Sequence, residues 1–122
     1  MLGFTLQGSS FKCVAPGSCA FDKDASICGW TEAGKNHWTR GTSTPSSGTG
    51  AQKAHSGAYF MFLETSFGSF GDKSYLLSPK LPVGMQSMSF YYHMHGKTMG
   101  TMAVEATTNG QTWTTLWTKT GQ

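Results

Sequence analysis

Short apolar runs alternate along the chain with stretches that hold almost no large apolar side chain. Residues 58–64, AYFMFLE, are nearly continuous and of strand length, which predicts a strand buried on both faces. Residues 74–78 read as a further strand, stopped by Pro79, and residues 81–86 cross over. Alternate residues of a strand share a face. Phe90, Tyr92 and Met94 therefore fall on one side and Ser89, Tyr91, His93 and His95 on the other. After a turn at Gly96-Lys97-Thr98, Met102, Val104 and Ala106 alternate with Thr101, Ala103 and Glu105, the pattern of a half-buried strand. Asn109-Gly110 is a strong hairpin signal, and residues 113–118 form the return strand.

The N-terminal half is less regular. Residues 1–18 read as a lead-in, with turn chemistry at Pro16-Gly17-Ser18. Residues 19–30 suggest a short first strand and a loop, and Trp38-Thr39-Arg40 a short strand. Residues 41–57 and 65–73 are loops, the first a long surface excursion. No segment has a helical period and no repeat occurs. Short apolar runs broken by Gly, Ser, Asn and Pro predict an all-β domain.

A chain of 122 residues suffices for one domain with one core. Eight Phe, four Tyr and four Trp argue against disorder. The net charge of +3 is small and Lys and Arg form no run, so no nucleic-acid partner is expected. No apolar stretch approaches the roughly 20 residues of a membrane span, so this segment is expected not to insert. The first residues lack the basic and apolar regions of a signal peptide.

Cys13, Cys19 and Cys28 have neither zinc-knuckle nor redox-motif spacing. A disulfide is the better reading, and the odd count leaves one thiol spare or paired outside the chain. His93 and His95 could face one metal, with Glu105 as a third ligand, but two histidines on a partly wet face is the simpler account. No nucleophile motif or phosphate loop is present, and nothing selects a pair among the six carboxylates, so no catalytic residue is assigned. Asp22 and Asp24 lie two apart in a loop beside the cysteines. They could seed a calcium site, and a solvated acidic loop reads them equally well. Trp30 and Trp38 read as core. Trp113 and Trp117, four apart, would share one strand face, and one of them could contact a ligand such as a sugar.

The order of these pieces carries a resemblance. Cys19-Ala20-Phe21-Asp22, Cys28-Gly29-Trp30, Trp38-Thr39-Arg40, Thr49-Gly50, His55, Gly57-Ala58-Tyr59 and Glu64 are followed by Leu77-Ser78-Pro79, residues 90–96 (FYYHMHG) and residues 99–104 (MGTMAV). Over residues 19–122 this set resembles a MAM domain, an extracellular module. The resemblance implies a jelly-roll-like antiparallel β-sandwich and a Cys19–Cys28 disulfide. It also implies calcium near the Phe-acid motif in some members, which maps to Asp22; Asp24 is added here from spacing. Three departures accompany it. Gln86-Ser87-Met88 stands where the family usually has a third cysteine, and Ala54-His55-Ser56 where it often has Asp-His-Thr, which removes one acid. Family members also continue past this sequence into a late acidic strand. The resemblance thus implies a 19–122 domain incomplete at its C-terminus with an open sheet edge: either the sequence is cut there, or the protein is a reduced variant, or another chain supplies the strand.

The function implied is that of a non-catalytic extracellular recognition or adhesion module, secreted or part of an ectodomain, that binds a protein partner or itself. The alternatives are a carbohydrate-binding module, since jelly rolls often hold glycans through aromatics and calcium, and an accessory domain of a secreted protease.

Overall fold

The computed structural model describes residues 2–5, 17–22 and 27–121. Eight strands lie among them: β1 (Leu2–Thr5), β2 (Thr31–Gly34), β3 (Trp38–Gly41), β4 (Phe60–Leu63), β5 (Ser74–Leu77), β6 (Tyr91–Met94), β7 (Thr101–Ala106) and β8 (Thr114–Thr120). A 3-10 turn at Ile27–Gly29 completes the regular structure. Every pairing is antiparallel. Four strands form a sheet in the order β3-β4-β1-β6, and two two-stranded ladders, the long-range pair β2-β5 and the hairpin β7-β8, are separate from it. The all-β, antiparallel class expected from the sequence is the class observed.

One apolar cluster joins all three sheets. Met61 and Leu63 of β4 and Met94 of β6 meet Met102 of β7, together with Cys19, Phe21, Trp30 and Met99. Trp38 of β3, Leu76 of β5 and Trp117 of β8 pack at its margin. The ladders thus cover one face of the four-stranded sheet, which is the layering of a sandwich.

Strand β4 shows why its sequence is a continuous apolar run. All four of its residues are buried. Met61 and Leu63 face the main core, while Phe60 and Phe62 form a second cluster with Ala54 and Ala51. Those alanines belong to the long loop expected at 41–57. The loop therefore roofs the outer face of β4, and both faces escape water.

Other expectations need correction. The alternation in β6 holds for Met94, which is buried, and Phe90, which is half-buried. Tyr92 is 44% exposed: its ring meets Phe90 and Trp117 at an angle, with centroids 6.0 and 5.1 Å away, at the margin of the core. In β7 Met102 is buried and Val104 half-buried, but Ala106 is exposed. A bulge between Val104 and Glu105 shifts the register with β8. The return strand spans Thr114–Thr120, so Trp113 precedes it and does not share a strand face with Trp117.

Two strands had no counterpart in the sequence reading. β2 is exposed at all four positions and is held by its register with β5, Thr31 opposite Leu77 through Gly34 opposite Ser74. β1 lies inside residues 1–18, read from sequence as a lead-in, yet it sits between β4 and β6.

Candidate functional site

Cys19 and Cys28 form a disulfide with Cα atoms 5.8 Å apart. It gathers a loop whose inner residue, Phe21, is fully buried against Trp30, ring centroids 6.1 Å apart. Phe21 has a positive φ of 60°. That backbone is unfavourable for a bulky residue, and the surrounding contacts hold it. The next residue, Asp22, then points its carboxylate at the lead-in to β4. Oδ1 accepts the N–H groups of Ala58 at 2.7 Å and Tyr59 at 3.0 Å. A side chain at Gly57 would run into the same carboxylate. From β3, Arg40 completes the closure. Its Nε donates to the carbonyl of Phe21, its Nη2 donates to the carbonyl of Asp22 at 2.9 Å, and the guanidinium lies over the Tyr59 ring at 3.6 Å. The two N–H donors hold the Asp22 carboxyl below the usual carboxylate range; slight burial opposes them and the Arg40 charge assists.

This geometry bears on calcium. Asp22 Oδ1 accepts from two amide donors, and the carbonyls of Phe21 and Asp22 accept from Arg40, while a calcium site would draw on such oxygens. Among the described residues no three acids, histidines or cysteines gather around one point. Asp24, and with it the rest of the calcium expectation, lies outside the described residues, as does Cys13.

His93 and His95 do share a face, their rings stacked at 6.5 Å. Partial burial lowers the His93 pKa, and the neighbouring His95 lowers it further. Glu105, the third ligand considered, instead accepts the Thr115 hydroxyl at 3.3 Å. His55 stacks on Tyr91 with centroids 3.4 Å apart.

The most exposed large apolar side chains lie in loops. In the loop after β4, Phe67 is 90% exposed and Phe70 fully so. Several hydrogen bonds hold the loop around them. The Gly68 N–H donates to the Thr65 carbonyl at 3.1 Å. Ser69 and Asp72 are bonded reciprocally: Ser69 N–H donates to the Asp72 carboxylate at 2.8 Å and Asp72 N–H donates to the Ser69 carbonyl at 3.0 Å. Glu64 anchors the start of the loop, accepting from the Ser66 N–H and hydroxyl and from the Ser46 hydroxyl. Partial burial pushes the Glu64 carboxyl up, but these donors outweigh it and the net shift is downward. Two aromatic rings are thus held out by an ordered loop. Sequence reasoning passed over them as loop residues; the signal was two phenylalanines three apart, out of strand phase, each in a Ser-Phe-Gly triplet.

The two tryptophans named as ligand contacts part company. Trp117 is half-buried, edge-on to Phe90 at 5.2 Å and Tyr92 at 5.1 Å. Trp113 is 47% exposed, and it does not line the hollow of about 440 Å³ formed by Ala106, Thr107, Thr108, Asn109, Thr112 and Thr114.

Among the described residues no helix is long and apolar enough to cross a membrane. Comparison with known proteins places these features. The model of the MAM domain, meprin/A5/mu, matches residues 19–122. MAM domain-containing protein 2 of Mus musculus is 38% identical over 96 residues, 73% of this chain and 14% of that protein. Thyroid hormone-induced protein B of Xenopus laevis is 36% identical over 117 residues, 88% of this chain and 17% of that protein. MAM domain-containing glycosylphosphatidylinositol anchor protein 2 of Homo sapiens is 32% identical over 126 residues, 84% of this chain and 13% of that protein. The chain therefore spans less than a fifth of the curated relatives it matches. No solved structure matches it. With the Cys19–Cys28 loop, the antiparallel sheets and a match over residues 19–122, the chain belongs to the MAM domain family.

Proposed function

We propose that the chain is an extracellular recognition module that binds another protein, a second copy of itself included, through the loop carrying Phe67 and Phe70. The observation that carries this reading is the pair of exposed rings on a hydrogen-bonded loop. Exposed aromatics on a pre-ordered loop lose little entropy on docking, and such residues dominate binding energy at interfaces. The disulfide fits an oxidising compartment, and a relative named as a glycosylphosphatidylinositol anchor protein supports the cell surface as the setting. The test is binding of the labelled chain to cell surfaces and to beads coated with the chain. Phe67→Ser with Phe70→Ser should weaken binding about tenfold or more, since a truncated anchor typically loses over about 1 kcal/mol. The thermal melt should not change. Equal binding by the double variant would remove the loop from the interface.

A second reading, glycan binding, is supported by the half-exposed ring of Trp113. A glycan array should then show a hit that Trp113→Ala abolishes.

A further inference from the structure

Strand β1 occupies the middle of the four-stranded sheet but precedes the residues that carry the family match. On one side Leu2, Gly3 and Phe4 pair with Leu63, Phe62 and Met61 of β4. On the other, Leu2, Gly3, Phe4 and Thr5 pair with Met94, His93, Tyr92 and Tyr91 of β6. Among the described residues β4 and β6 have no ladder with each other, and each is hydrogen-bonded to β1. Without it they become two facing edges, each with a row of unpaired N–H and C=O groups. With β1 in place all four β4 residues are buried, so losing it would also uncover apolar side chains. The slot between β4 and β6 therefore requires a strand.

Backbone pairing does not specify which copy of the chain supplies that strand. β1 reaches its partners across much of the chain, so its insertion closes the longest loops and comes late in folding. Eleven residues lie between Thr5 and Gly17. Fully extended, that length spans at most about 40 Å, enough to reach an adjacent copy.

We infer that the β4–β6 slot is a strand-acceptor site and that the Leu2–Thr5 segment of a second copy fills it, giving a reciprocal dimer. Reciprocal exchange keeps every β1 pairing in both copies, so it loses only the entropy of association. The chain's own strand competes at an effective concentration of millimolar order, so the exchanged form grows in as that range is approached. The inference does not depend on Phe67 and Phe70: a failed exchange leaves the loop reading intact, and a silent loop leaves the exchange intact.

The test is a disulfide staple read on a non-reducing gel. In a Cys13→Ser background, Gly3→Cys with His93→Cys, and separately Phe4→Cys with Tyr92→Cys, place cysteines at facing register positions. Adjacent antiparallel pairs alternate between narrow and wide spacing, so one of the two suits a disulfide. A cooperative melt shows that each variant folds. Refolded in dilute solution, the stapled chain should run as a monomer. Refolded at about millimolar concentration, it should give a substantial covalent dimer that reductant collapses. A staple that closes within each chain at every concentration would overturn exchange. A folded chain in which neither staple forms would overturn the slot itself.

Discussion

Arg40 and Asp22 meet through the main chain: the guanidinium Nη2 donates to the Asp22 carbonyl at 2.9 Å, while the Asp22 carboxylate turns away to the N–H groups of Ala58 and Tyr59. The pair ties the disulfide loop to β3 on one side and to the approach of β4 on the other.

Arg40→Lys should lower stability by about 1–2 kcal/mol, measured by urea unfolding. Lysine keeps the charge but lacks the planar fork that reaches two carbonyls at once and lies flat on Tyr59.

Asp22→Asn should lower the melting temperature by the same amount in calcium and in EDTA, because the neutral amide weakens the hydrogen bonds from the Ala58 and Tyr59 N–H groups in either buffer. A drop seen only in calcium would show that the carboxylate holds a metal, with undescribed loop residues such as Asp24 completing the site.

Gly57 and Gly48 have similar positive φ values, 68° and 80°, yet different surroundings. Gly48→Ala faces open space and should lose only the left-handed backbone penalty, about 1–2 kcal/mol. Gly57→Ala drives a methyl group into the Asp22 carboxylate and should lose clearly more. Equal losses would mean that the Asp22 contact is not tight.

Stability should fall on acidification in two windows. His93 sits below its ordinary 6.5 in the fold, so the unfolded chain takes up the proton first. Stability is therefore lost as pH drops through 6.5 toward the lower folded value. Asp22 and Glu64 sit below 3.8 and 4.5. Each adds stability that is complete above those values and lost as pH falls toward the folded ones. His93→Gln should flatten the upper window in urea midpoints and leave the lower one.

The two late tryptophans should separate in the same assay. Trp117→Ala removes a ring packed on Phe90 and Tyr92 and should cost about 3 kcal/mol. Trp113→Ala should stay within about 0.5 kcal/mol.

Where burial wrote a period into the chain, the sequence was readable. Met102 and Val104 alternate because one face of β7 meets the core, and Asn109-Gly110 marks its hairpin; β4 is a solid apolar run because two layers cover it. β2 left no trace because all four residues are exposed and only the ladder to β5 defines them. β1 was hidden for a different reason: four residues carry no usable period, and their partners lie far along the chain. At the candidate site the Cys19–Cys28 pairing and the place of Asp22 were accessible through the family pattern. The use of the Asp22 carboxylate was not, because Ala58 and Tyr59 contribute backbone N–H groups, which no side-chain pattern records.

The place of β1 has a practical meaning. Homology and folding draw different borders here: the family match starts at Cys19, while the sheet takes in Leu2–Thr5. A chain trimmed to the homologous border would keep its disulfide and every family motif, yet leave β4 and β6 unjoined. Such a trimmed piece would present an adhesive seam, and its poor solubility would be a product of the cut.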